Sequence, residues 1–86
     1  MTVKRVRPCA CCGYLTVTEE YDICSVCGWE ADDVQEADPT FWGGANVPSL
    51  NDARANYEKL GASDSTRVAR VRAPLPHDIP RDIQEP

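Results

Sequence analysis

Two copies of one pentapeptide pattern constrain this chain more than anything else in it. Cys9-Ala10-Cys11-Cys12-Gly13 and Cys24-Ser25-Val26-Cys27-Gly28 both read C-x-x-C-G, with the eleven residues Gly13 to Ile23 between the pairs. A C-x-x-C turn points two sulfurs at one centre, and the glycine after it permits the backbone conformation that brings amides close to those sulfurs. Two such turns at hairpin spacing predict a tetrahedral four-thiolate site, with ligands about 2.3 Å from zinc. The expected ligands are Cys9, Cys12, Cys24 and Cys27. Zinc is the expected ion and iron the less favoured one, since four thiolates accept either. Four protein ligands leave no open coordination position, which points to a structural rather than a hydrolytic metal. The competing reading is buried apolar packing of the thiols with no metal, and the matched spacing of the two pairs argues against it.

Length gives the site its importance. A chain of 86 residues has room for one domain with a small core, and such cores commonly rely on a metal, a disulfide or a partner. Structural zinc contributes an apparent ~10–16 kcal/mol in small peptides at neutral pH, more than the few kcal/mol such a core supplies, so metal and fold are expected to be coupled. There are five cysteines, an odd number. Register with Gly13 and symmetry with the second pair leave Cys11 as a spare thiol beside the site. Packing is its default role, and a redox or metal-exchange thiol is the functional alternative.

Met1 to Arg7 carries basic residues with no apolar run behind them, unlike a secretory signal. No stretch approaches the roughly 18 apolar residues of a membrane span. The expectation is a cytoplasmic protein with no membrane association, where reducing conditions favour thiols as metal ligands over disulfides.

The net charge is -5, and its placement is uneven: no Lys or Arg stands between Arg7 and Arg54, whereas Glu19, Glu20, Asp22, Glu30, Asp32, Asp33, Glu36, Asp38 and Asp52 do. Such a half repels phosphate backbones and suits basic partners, although runs of carboxylates commonly form only a solvated face.

The predicted fold is a small, metal-stabilised α+β domain: a zinc-ribbon or knuckle β-hairpin packed against a C-terminal helix. A short strand is expected within residues 2–7, ended by Pro8. A better strand covers Tyr14 to Thr18, whose Leu15 and Val17 alternate with threonines. A turn at Glu19-Glu20 then returns the chain through Tyr21 to Ile23, making a hairpin with a C-x-x-C at each end. Residues 29–48 read as a long acidic loop, punctuated by Asp38-Pro39 and Gly43-Gly44. Its Phe41, Trp42 and Val47 are expected to fold back as a lid on the core. Ser49 is placed to cap a helix with Asp52 at its third position, Leu50, Ala53, Tyr57 and Leu60 form its apolar stripe, and Gly61 stops it. Arg54 and Glu58 are spaced to pair on its wet side. A shorter helix is expected from Ser63 to about Val71, with Val68 and Val71 one turn apart. The organisation is a single domain: residues 1–48 as hairpin and loop, 49–72 as the helical segment packed on it, and 73–86 as a proline-rich tail.

Other chemistry is sparse. His77, the one histidine, sits among prolines, and Asp32 with Asp33 could form an acid-base pair only if they escape the usual solvated fate of loop carboxylates. No phosphate-binding or dinucleotide fingerprint is present. The chain is therefore not expected to be an enzyme.

With these residues in view, the chain resembles the bacterial cysteine-rich CPCC family of small zinc-ribbon-like proteins over roughly residues 9 to 80. The resemblance rests on Cys9 to Tyr14, on Ile23-Cys24-Ser25-Val26-Cys27-Gly28-Trp29-Glu30, on Gly43-Gly44-Ala45-Asn46 followed by Ser49-Leu50, and on Ala53-Arg54-Ala55-Asn56-Tyr57. The chain departs from the family pattern at Ala10, where the name-giving Pro would stand, and at Ser25, often Pro in such knuckles. Each change loosens a turn without removing a ligand. The resemblance implies zinc binding and little enzymology. The knuckles also look like those of rubredoxin, whose pairs lie much further apart, and that likeness is convergence on one turn.

Three functions compete. The first is a non-catalytic zinc-binding protein-interaction module, most sharply an acidic inhibitor or immunity protein for a basic toxin or enzyme, because acidic inhibitors gain on-rate and specificity from charge matching. The second is a nucleic-acid-associated zinc ribbon resting on Lys4, Arg5, Arg7, Arg67, Arg70 and Arg72, which a pI near 4.6 disfavours. The third is a redox or iron-binding thiol protein centred on Cys11.

Overall fold

The computed structural model describes residues 5–80. The calls at Thr2, Val3 and Lys4, and at Arg81 to Pro86, lie outside the described residues.

Strand β1 is Arg7–Pro8 and β2 is Leu15–Val17, paired antiparallel with Arg7 opposite Val17 and Pro8 opposite Leu15, the register shifting between them. The hairpin thus closes over the first knuckle. The expected return strand goes elsewhere: residues 21–23 pair forward with 29–31 around the second knuckle. The Tyr21 amide donates to Ala31 O at 2.6 Å, the Ala31 amide to Asp22 O at 2.9 Å, and Ile23 faces Glu30 in an isolated bridge. The reason is local. The Asp22 carboxylate accepts from Thr18 N (2.8 Å), Thr18 Oγ1 (2.7 Å) and Glu19 N (3.1 Å), winding residues 18–22 into a tight turn. That turn carries Tyr21 at φ +71°, a left-handed conformation uncommon outside glycine.

The acidic segment is more ordered than a loop. Asp32 caps helix α1 (Asp33–Ala37), accepting from Val34 N at 2.9 Å and Gln35 N at 3.3 Å. Glu36 reaches back to the Asp32 amide at 3.2 Å and also accepts the Trp29 indole N–H at 2.9 Å. Gln35 is fully buried. Its Nε2 lies 3.1 Å from each of the carbonyls of Phe41, Asn46 and Pro48, and its Oε1 accepts from Asn46 N at 2.9 Å and Asn46 Nδ2 at 3.0 Å. Asn46 in turn brackets Glu30, accepting from its N and donating to its O, both at 2.8 Å. A folded loop would otherwise bury orphaned backbone groups, and these two amides satisfy them. Among the described residues no buried side-chain nitrogen or oxygen lacks a partner.

The lid expectation is overturned. Phe41, Trp42 and Val47 are 42%, 72% and 74% exposed, while Trp29 is the wholly buried aromatic. Gln35 holds the loop backbone from inside, so the apolar side chains at its tip turn outward.

Helix α2 runs Leu50–Leu60 as its signals predict. Ser49 Oγ accepts from Asp52 N at 3.1 Å, and Gly61 at φ +77° ends the helix, donating to Tyr57 O at 2.9 Å. Leu50 and Ala53 are buried and Tyr57 packs partly against the core, but Leu60 is exposed. Arg54 donates from Nε to Ala10 O at 2.9 Å, tying α2 to the first knuckle instead of pairing with Glu58. The expected second α-helix is a 3₁₀ turn, Ser65–Arg70, that begins after Asp64. The residue at its N-cap is Asp64 and not Ser63, which is buried one position earlier, its amide donating to Cys27 O at 2.7 Å and its carbonyl accepting from Asn56 Nδ2 at 2.9 Å.

The proline-rich tail is strapped down as far as it is described. A 3₁₀ turn, Pro76–Asp78, buries Asp78, whose carboxylate meets Arg72 Nη1 at 2.6 Å and the Leu75 amide at 2.7 Å. Arg72 also donates to Ser25, from its amide to the carbonyl at 3.1 Å and from Nη2 to the hydroxyl at 3.0 Å. No helix among the described residues is long and apolar enough to cross a membrane.

Candidate metal centre

The two knuckles are built alike. In the first, the Cys9 amide donates to Tyr14 O and the Gly13 amide to Cys9 O, each at 2.8 Å; in the second, the Cys24 amide donates to Trp29 O at 2.9 Å and the Gly28 amide to Cys24 O at 2.8 Å. Gly13 and Gly28 close them at φ +83° and +88°, which a side chain would strain. At Gly28 a Cβ would also stand 2.9 Å from Arg67 Cβ, so the Arg67 stem packs directly on the second knuckle.

The Sγ atoms of Cys9, Cys12, Cys24 and Cys27 all lie within 4.8 Å of one another. Cys9 and Cys27 are 3.6 Å apart, and Cys12 and Cys24 are 3.7 Å apart. A tetrahedron with ligands at about 2.3 Å has edges of about 3.8 Å, so these spacings suit a four-thiolate ion. Cys9, Cys24 and Cys27 are buried and Cys12 is half-buried.

Donors converge on the sulfurs. Cys24 Sγ receives the amides of Val26 (3.3 Å) and Cys27 (3.4 Å) and the Thr16 hydroxyl at 2.8 Å, while Cys27 Sγ receives the Trp29 amide at 3.4 Å. Such donors stabilise thiolates. Hydrogen bonding from Cys12, then from Cys27, Cys9 and Thr16, pulls the Cys24 thiol well below its ordinary range. Cys27 is pushed up, through Cys11 first and then its three cluster neighbours. Nearby Tyr57 is raised to about 12, by burial first and by the charges at Cys12 and Tyr14 after it.

Cys11 stands outside the group of four, buried against the same core and close to Cys27. Asp32, offered by sequence as one of a carboxylate pair with Asp33, is engaged by backbone amides. It is buried, and besides capping α1 it accepts from Ala45 N at 2.9 Å, which with the two cap amides holds its carboxyl below the usual range. His77 is exposed, with Nε2 3.5 Å from Asp78 Oδ1. Of the basic residues singled out from sequence, Arg72 is neutralised by Asp78, Arg67 lies along Gly28, and Lys4 is outside the described residues.

Residue spacing does not point to Thr16 as a support of the sulfurs, nor to Gln35 and Asn46 as organisers of the acidic segment. Thr16 had a faint signal, a polar residue alternating with Leu15 and Val17 beside a knuckle. The amide pair had none, because its partners are backbone groups far along the chain.

No curated protein matches the chain. The family model described as cysteine-rich CPCC matches residues 7–78, a span that takes in both knuckles, α1, α2 and the Arg72–Asp78 strap. The chain belongs to the cysteine-rich CPCC family.

Proposed function

We propose that this chain is a non-catalytic, zinc-stabilised protein-interaction module, in its sharpest form a small acidic inhibitor or immunity-type partner of a basic protein. The supporting observation is the convergence of four sulfurs at tetrahedral spacing, with Cys9 and Cys27 3.6 Å apart and Cys12 and Cys24 3.7 Å apart. Bound there, the ion supplies a closed cross-link between the two knuckles and no open position for substrate. The chain's own residues orient the sulfurs through Thr16 and the amides of Val26, Cys27 and Trp29. Asp32, one of the two carboxylates that the sequence offers as an acid-base pair, is committed to three backbone amides. A reducing, cytoplasmic setting keeps such thiols available to metal.

Elemental mass spectrometry with a visible spectrum tests the metal centre on which this reading stands. One zinc per chain and a colourless protein are expected. One iron per chain, with its thiolate absorption, would replace zinc by iron and favour the redox alternative, and a folded protein with no metal would overturn the centre itself.

A further inference from the structure

Resting on the interaction reading above, we propose that the tip of the 38–47 loop is the docking face, and that its occupant is a basic polypeptide segment carrying an apolar anchor residue. Trp42 and Val47, 72% and 74% exposed, flank a turn closed by the Gly43 amide donating to Val47 O at 3.1 Å. Phe41 precedes Trp42 in the loop and is 42% exposed, and Val34 is exposed on α1, which leads into the loop. Singly scattered apolar residues are normal on a surface, whereas three large ones fall within residues 41–47 here.

The loop's rigidity separates this face from a merely loose segment. Its backbone hangs on buried Gln35 and Asn46, and Gly44 is packed so closely that a Cβ would lie 2.7 Å from Asp32 Oδ2 and 2.9 Å from Gln35 Cγ. A tryptophan presented on a preformed loop loses little freedom on binding, and tryptophan is enriched among residues that dominate interfaces.

Charge selects the occupant. Asp38, at the start of the loop, and Asp33, beside Val34 in sequence on α1, are exposed, and no Lys or Arg occurs between Arg7 and Arg54. Phosphate-bearing surfaces are repelled by such a rim. A second copy is disfavoured as well, since a two-fold contact would set this acidic loop against itself. A basic segment gains steering and register from the same charges.

The test is to pan a phage-displayed random-peptide library against the full-length chain, with metal content measured on the same preparation. Enriched peptides should combine Lys or Arg with an apolar residue, perturb tryptophan emission and weaken as salt is raised. Trp42→Ala should weaken resynthesised peptides by about tenfold or more, whereas Val68→Ala, on the exposed 3₁₀ turn, should leave binding unchanged. No enrichment, peptides lacking basic residues, or binding indifferent to Trp42→Ala would overturn the proposal, as would Trp42-dependent self-association or binding to anionic vesicles. Normal metal content in a preparation that captures no peptide would sink the docking face while sparing the metal centre.

Discussion

Thr16, on the returning strand of the first knuckle, donates its hydroxyl to the Sγ of Cys24 in the second at 2.8 Å. One knuckle therefore orients and stabilises a thiolate of the other. Partners of this kind typically change metal affinity by 10–100-fold. Thr16→Val keeps the shape and β-branching and removes the donor, so zinc affinity should fall by about tenfold or more. Competition against a chromophoric chelator checks it, and unchanged affinity would mean that the hydroxyl plays no part in metal binding.

Cys11 and Cys12 are neighbours, yet only Cys12 belongs to the converging group. Cys11→Ser should keep one metal per chain, while Cys12→Ser should lose most of its affinity. Native mass spectrometry under limiting zinc distinguishes the two. A Cys12→Ser protein that binds metal as tightly as the parent would show that Cys11 had taken its place.

Metal and fold should be lost together. Chelation at neutral pH should expose Trp29, now wholly buried, and collapse the far-ultraviolet signal, because ligand binding and folding are one equilibrium in small metal domains. Red-shifted emission tracking chelator concentration is the expected result. A native spectrum after complete metal removal would uncouple them.

The Asp32 carboxyl is depressed in the folded state, by the Ala45 amide first. Depression means that its stabilisation is present above the unfolded value of about 3.9 and fades as pH falls toward the lower folded value. Asp32→Asn replaces an acceptor facing Ala45 N with an amide, at a cost of about 1–3 kcal/mol near neutrality. Denaturation of both proteins at saturating metal should show this gap between about pH 6 and 8, where the carboxyl is ionised in both states and the thiolates still hold metal. Equal stability of the two proteins in that window would mean that the Asp32 carboxylate adds nothing to the fold.

Gln35→Leu should be worse, because it strips the hydrogen bonds from the carbonyls of Phe41, Asn46 and Pro48 and from the Asn46 amide. A loss of about 3 kcal/mol or more is expected from several orphaned groups, with one metal per chain retained. Proteolysis should cut first within residues 38–47. Protection equal to the parent's would show that the loop holds itself together without the amide.

Much of this molecule is legible without coordinates. The cysteines singled out by C-x-x-C-G spacing are those whose sulfurs converge, and the Ser49 cap, the Asp52 partner and the Gly61 stop bound α2. The order of the acidic segment is not legible in pattern, because its organiser is one polar residue in an acidic stretch. Gln35 is buried because carbonyls from Phe41 to Pro48 arrive to meet it.

By itself the sequence determined the knuckles and the capped helix, whose causes lie within a few residues: a glycine free to turn left-handed, a serine one turn from the amide it caps, sulfurs three apart. Tertiary structure alone decided that Trp29 rather than Trp42 is buried and that Arg72 and Asp78 strap the tail to Ser25. These choices depend on which distant backbone groups must be satisfied once the chain closes on itself, and a buried polar group accepts whichever partner the fold delivers.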